Sequence, residues 1–371
     1  MKPANPDDAA AAGRAAARMP LIDALKGIAA QLILLHHLVC YGPLAKAMNR
    51  MLPALSGVLF DYGRMLVQVF LVVGGFLAAR ALAADGRPLP RNPLAQVWHR
   101  YLRLAPPFVV AMLLALGVAL LAEHWMDDEA IPEITDLRQL IAHGLLLHDI
   151  LDVPSLSAGV WYVAIDLQLY AMLALLMALA ARCGERSAAA AMALVAALGG
   201  ASLFHFNHDA SLDDWGIYFF GSYALGAFAW WLGGRRWNSC LLAVPALVVA
   251  SALAVDFRLR IALALAVAAV LALGHRQGWL LRWPRSALLG FLGRISFSVF
   301  LLHFPIFLLV SALYVRLGGG GDGVALAAMF LAWALSIAVG AFFHRHVERR
   351  ARWLPAPLAV RLRALVSPRR A

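Results

Sequence analysis

Charge is what this sequence has least of. Only 14% of its 371 residues are Asp, Glu, Lys or Arg, while 63% are hydrophobic, and the mean hydropathy is +0.75. A soluble domain needs more polar surface than that to stay dispersed. The few charges are unevenly signed, 32 Lys and Arg against 21 Asp and Glu. No basic stretch is interleaved with aromatics on a polar segment, so no nucleic-acid partner is expected. Cysteine is scarce too. Cys40, Cys183 and Cys240 are odd in number and far apart, which gives neither a disulfide framework nor a thiolate metal site. His143, His148, His205 and His208 lie on polar connections without zinc-like spacing, so no metal is expected. No loop is long enough to fold alone, which leaves no room for an appended soluble catalytic module.

What is present is a succession of apolar runs of the length a bilayer demands, roughly 20 residues each. Pro, Gly and charge interruptions divide them into ten expected spans: 21–40, 65–84, 103–122, 160–181, 188–204, 215–232, 241–255, 259–274, 290–314 and 324–343. The expected fold is therefore all-α, a polytopic membrane helical bundle of about ten transmembrane helices. With the N-terminus inside, the inner segments and their span edges carry 23 of the 32 Lys and Arg, the outer ones seven, and Lys26 and Arg294 lie within spans. Eight acidic residues fall between Glu123 and Asp152, on the outer side. The positive-inside rule then predicts both termini in the cytoplasm. Residues 1–20 read as a disordered cytoplasmic tail without the apolar core of a signal peptide. The membrane domain reads as 21–346. Residues 347–371 read as a basic cytoplasmic tail able to rest on anionic headgroups.

One span breaks the scarcity rule. The stretch "LIDALKGIAAQLILLHHLV", residues 21–39, holds Asp23, Lys26, His36 and His37 inside an apolar run. Ionisable groups in spans usually face a bundle interior or a polar cavity and point to function. Lys26 and His37 are eleven residues apart, so on a helix they differ by about 20° in direction and roughly 16 Å in height. Both can line one groove. His36 points about a quarter-turn away, and Asp23 can pair with Lys26 three residues on. In the plainer reading, Asp23 and Lys26 neutralise each other at the interface and the histidines satisfy backbone groups.

Further blocks follow in order. They are "VFLVVGGFLAARAL" (69–82), "HRYLRLAPP" (99–107) with Arg100, Arg103 and Pro106, and "GVWYVAIDLQLYAML" (159–173) with Trp161, Asp166, Gln168 and Tyr170. "LGRISFSVFLLHFPI" (292–306) carries Ser296, His303 and Pro305, and "HRHVERR" (344–350) carries Glu348. Arg100 and Arg103 sit one turn apart at the expected cytoplasmic start of span three, where guanidinium pairs can clamp phosphates or simply anchor the helix. Asp166 falls near the expected outer end of span four, where a carboxylate can orient the imidazole of His37 or merely sit beside an interfacial aromatic belt of Trp161 and Tyr162. His303 precedes a proline that would kink its helix.

This ordered set resembles the membrane acyltransferase 3 family over nearly the whole chain. Lys26 and His37 match its pattern of a basic residue, ten intervening residues and a histidine. Arg100, Arg103 and Pro106 match its R-x-x-R-x-x-P block. Gly74 stands where a serine is usual, Asp166 where a glutamate is usual, and an arginine replaces the proline of the closing E-x-P. The resemblance implies an inner-membrane O-acyltransferase of bacteria, multi-pass, with acyl-CoA (acetyl-CoA first) as donor substrate and no permanently bound cofactor. Its acceptor would be a sugar hydroxyl of a surface polysaccharide, a lipid-linked oligosaccharide or a related glycan. On this reading His37, Lys26 and Asp166 are the catalytic group and Arg100 and Arg103 hold the donor. Asp23, Trp161, Tyr170 and His303 contact substrate. Direct transfer and an acyl-histidine intermediate both stay open. A transporter or flippase would also place charges within spans, but it should show internal repeats, and each of these blocks occurs once.

Overall fold

The computed structural model describes residues 18–234 and 243–351. The readings of both tails fall almost entirely outside these residues, as do Cys240 and the first two residues of the expected seventh span. The described chain is helical, and no strand occurs in it. In chain order the helices are α1 (Pro20–Cys40), α2 (Gly42–Met51), α3 (Pro53–Gly63), α4 (Val67–Leu82), α5 (Pro93–Trp125), α6 (Leu137–Gly144) and α7 (Trp161–Ala181). They continue as α8 (Ser187–Phe204), α9 (Gly216–Gly233), α10 (Ala243–Val255), α11 (Leu259–Gln277), α12 (Ala287–Arg316) and α13 (Asp322–Phe343).

Each expected span returns as a helix, and eight helical stretches are long and apolar enough to cross a membrane. The two others explain themselves. The α9 helix is rich in Gly and aromatics, and 15 of its 18 residues are buried among its neighbours. The α10 helix has only 13 residues. The polytopic helical bundle is thus the fold.

The boundaries differ where polar residues extend a helix beyond its apolar run. The α5 helix starts at Pro93, not near 103, because the Asn92 side chain accepts from the amides of Leu94 and Ala95 while Pro93 occupies the first turn. That N-cap is a local signal invisible to a hydropathy window. The second apolar helix likewise begins at Pro53, through a 3-10 turn at Arg64–Leu66.

Glycines set the closest helix crossings. A Cβ on Gly293 would collide with the backbone of Asp23, and one on Gly27 would press on the Gly293 amide. The parallel helices α1 and α12 are therefore in backbone contact there, the small-residue packing that bilayers favour. Ten residues further along each helix come His37 and His303, so the register of the glycine crossing carries directly to the histidines. Gly75 and Gly226 bring α4 and α9 together in the same way.

The acidic connection 126–160 is not a simple outer loop. It turns back along α5: the Tyr101 hydroxyl donates to the Gly144 carbonyl at 2.8 Å. Leu146 and Leu156 are buried with Leu104, Phe108 and Met112. Gln139 pins the fold of this segment. Its amide donates to the carbonyls of Glu133 and Pro154, and its side-chain oxygen accepts from Thr135.

Candidate active site

The α1–α12 crossing aligns the polar groups of both helices. His37, half-buried on α1, has its Nδ1 2.6 Å from Nε2 of His303 on α12. His303 is 2% exposed, and its Nδ1 lies 2.7 Å from the Phe300 carbonyl one turn back. Gly159, at φ +81°, lies against the edge of His37; a Cβ there would stand 3.1 Å from Cε1 of that ring. His36 faces elsewhere, as its phase requires. Its Nδ1 lies 2.8 Å from the Leu59 carbonyl, and its side chain occupies the space that a Cβ on Gly63 would need. The plainer reading of the histidines, satisfaction of a backbone group, holds for His36.

At the other end of the same α1 face, Lys26 lies 3.7 Å from Asp23, which also pairs with Arg18 at 2.6 Å. Arg103 and Glu348 are close enough for their charges to act on Lys26. Glu348 follows α13 in a short π-helix and accepts from the Ser298 hydroxyl at 2.7 Å and from His344 Nδ1 at 2.8 Å. Helices α1, α5, α12 and the end of α13 thus converge on one charged cluster, roughly 16 Å along α1 from His37. Beside it, at the N-terminal ends of α1 and α12, a cavity of about 330 Å³ is lined by Arg18, Arg285 and Arg294 together with Ser286 and Gly290.

Two expected placements need correction. Asp166 does not reach His37. It forms a forked ion pair with Arg100, Nη2 to Oδ2 at 2.6 Å, Nη2 to Oδ1 at 2.7 Å and Nε to Oδ2 at 3.1 Å. Arg100 therefore carries a carboxylate partner inside the bundle, beneath the ring of Tyr170 at 5.3 Å, and does not stand open at the cytoplasmic rim. Hydropathy alone places these two residues at opposite faces. They meet because α5 begins ten residues early and α7 begins where the returning segment leaves it. Gly74, where the family's usual serine is missing, faces the same pair: its Cβ position is 3.6 Å from Asp166 Oδ1 and 3.1 Å from the Tyr223 ring. Of the other expected contact residues, Trp161 stacks on Phe219; Gln168, a residue of the same block with no expected contact role, receives the Gly216 amide at the start of α9. These are packing and capping roles. Among the described residues no cluster of three or more metal-binding side chains occurs.

A family model for an acyltransferase domain matches residues 20–344. The chain belongs to the acyltransferase 3 family. It accordingly carries a membrane acyltransferase domain, and the transporter reading gives way to that of the enzyme family. A curated relative, "Regulator of hypoxia-inducible factor 1" of Caenorhabditis elegans, is 26% identical over 115 residues, which is 31% of this chain and 23% of that protein. The chain thus aligns with less than a quarter of the length of that relative. No solved structure is significantly similar to the chain.

For this acyltransferase, sequence reasoning overlooks Gly159, Ser298 and the returning segment. Gly159 has a visible signal: a glycine directly before a helix start is a candidate for positive φ. Ser298 has none, because its partner Glu348 is fifty residues away and only the α12–α13 packing unites them.

Proposed function

We propose that this acyltransferase moves an acyl group, acetyl in the first instance, from acyl-CoA to a sugar hydroxyl. The acceptor is a surface polysaccharide, a lipid-linked oligosaccharide or a related glycan at the bacterial inner membrane, with both termini of the enzyme in the cytoplasm. The observation that carries this reading is the shared face of α1, which runs from the charged cluster at Lys26 to the half-buried imidazole of His37. His37 takes the proton from the acceptor hydroxyl as general base. The hydroxyl oxygen attacks the thioester carbonyl, the carbon–sulfur bond breaks, and the departing thiolate takes the proton back from His37.

The donor's phosphates are held by the positive end of the same path. Arg100 is neutralised by Asp166, so this task falls to Arg103, Lys26 and the arginine-lined cavity. Lys26 is too far from His37 to stabilise charge at the reacting carbonyl, and its role is to position the donor. The extended pantetheine arm of a CoA ester is of the length that separates Lys26 from His37. Arg100 and Asp166 hold α5 to α7 behind the site.

Incubating the nanodisc-reconstituted protein with acetyl-labelled CoA and cell-envelope glycan tests this. The expected result is alkali-labile label on the glycan. Label transferred only to a non-glycan acceptor overturns the acceptor class, and absence of CoA binding and of transfer together overturns the donor.

A further inference from the structure

The family resemblance implies that His303 contacts substrate, yet both of its ring nitrogens are occupied and it is 2% exposed. From the geometry we infer that His303 is a positioning residue: it fixes His37 in the tautomer protonated on Nδ1 and so leaves Nε2 as the basic nitrogen. The inference rests on the reading of His37 as general base.

The assignment of protons starts at the backbone. The Phe300 carbonyl can only accept, so Nδ1 of His303, 2.7 Å away, must carry the hydrogen. A neutral imidazole carries one N–H, so Nε2 of His303 is a bare lone pair. The nitrogen it meets at 2.6 Å, Nδ1 of His37, must then be the donor. Nε2 of His37 is left with its lone pair, and among the described residues it has no hydrogen-bond partner. The reverse assignment would place two acceptors, the bare Nδ1 of His303 and the Phe300 oxygen, at hydrogen-bond distance. A doubly protonated His303 would bury a cation among apolar side chains without a carboxylate beside it, which costs far more than the tautomer choice.

The ring geometry agrees. The two imidazole planes are 12° apart and the centroids 4.8 Å apart, which is the N···N distance extended by one ring radius at each end. The rings are therefore edge to edge and nearly coplanar, so the Nδ1–H bond of one points along the in-plane lone pair of the other. Face-stacked rings could not bring the nitrogens together in this way. When Nε2 accepts the proton of the acceptor hydroxyl, the imidazolium keeps its Nδ1–H on His303, and no second proton has to move. His303 thus does with a neutral ring what a carboxylate does in a hydrolase triad, and the Phe300 carbonyl anchors the chain.

The test uses the full chain in nanodiscs, with His303→Leu and His303→Gln. Leucine removes both hydrogen bonds at similar volume, whereas glutamine keeps an acceptor and a donor. The expected result is that leucine lowers kcat about 100-fold with KM for both substrates nearly unchanged, and that glutamine recovers much of the loss. Nitrogen-15 histidine spectra of the wild type should show His37 protonated at Nδ1, and those of His303→Leu a mixture of tautomers. A wild-type spectrum with the proton on Nε2 overturns the inference even if neither variant folds. So does an unchanged kcat in folded His303→Leu, or a loss confined to KM. Full activity in His37→Ala would remove the general-base reading itself, whereas an inactive His37→Ala beside a fully active His303→Leu would remove only the role of His303.

Discussion

Among the described residues, His37 with His303 and His143 with His148 form two pairs of histidines built in opposite ways. His37 and His303 meet edge to edge, bonded nitrogen to nitrogen, on two parallel helices that cross at glycines. His143 and His148 lie face to face on the returning segment, with centroids 4.3 Å apart and planes 13° apart, behind the ring of Phe108. His143 is fully used by the backbone: its Nδ1 donates to the Gln139 carbonyl at 2.8 Å, and its Nε2 accepts from the Leu156 amide at 3.2 Å. Neither ring nitrogen of His148 makes a hydrogen bond, and its Nε2 stands 3.4 Å from the Asp149 carboxyl. Burial holds His148 down at about 3 and raises Asp149 to about 7, with Asp214 and Asp213 adding to the rise. The difference teaches that burial does not decide what a histidine does. What each nitrogen meets decides it: one pair leaves a directed lone pair beside a polar path, and the other is a flat packing element that closes a loop.

The largest expected effect tests this contrast head on. His37→Ala should reduce transfer by about 10²- to 10⁴-fold, the usual worth of a general base, while His148→Phe, which keeps a flat ring in place, retains most activity. Steady-state rates with equal folded protein check it, and an inactive but folded His148→Phe would break the comparison. Next in size is Asp166→Asn. It leaves the Arg100 guanidinium buried beside a neutral amide and should cost about 3–5 kcal/mol of stability, seen as a lower Tm, while the folded fraction keeps most of its kcat. A normal Tm with a collapsed kcat would return the carboxylate to His37.

Gly159→Ala should have a smaller effect. The αL conformation at φ +81° costs a side chain about 1–2 kcal/mol, and the new Cβ presses on His37 Cε1. A fall in kcat of about tenfold, the equivalent of 1.4 kcal/mol, is expected from the rate assay; an unchanged kcat would mean that the ring is held by His303 alone.

The smallest effect is one of pH. Asp149 binds its proton more tightly folded than unfolded, so its contribution to stability falls as pH rises from about 4 to about 7. His148 binds its proton less tightly folded, so its contribution rises with pH between about 3 and 6.5. Between pH 4.5 and 6.5 the two oppose each other, and wild-type Tm should be nearly level. In that window Asp149→Asn should make Tm rise with pH, and His148→Phe should make it fall. Melts at the two pH values, showing the same slope in all three proteins, would mean that the pair is not coupled to folding.

Much of this is legible in the order of the residues. Long apolar runs can be satisfied in a bilayer only as helices, so the helical bundle follows from composition, and the phase of Lys26 and His37 follows from 100° per residue. The ordered blocks point to the family. What stays hidden depends on particular departures from an even row of spans. The Asn92 cap lengthens α5, and the segment 126–160 folds inward. Together these carry Arg100 and Asp166 from expected opposite faces into one ion pair.

The sequence by itself determined the class of the protein, the place of its apolar helices along the chain to within a few residues at most ends, and the face of α1 that carries Lys26 and His37. These are one-dimensional properties, set by hydropathy, helical period and local capping chemistry. Only the tertiary structure decided the partners. His303 rather than Asp166 received the Nδ1–H of His37, because Gly27 and Gly293 put α1 and α12 in backbone contact with equal ten-residue runs to the two histidines. Asp166 went to Arg100, because a bidentate fork inside a bundle neutralises two charges that would otherwise be left bare. Pairing across helices is fixed by crossing points and register, and no single helix contains that information.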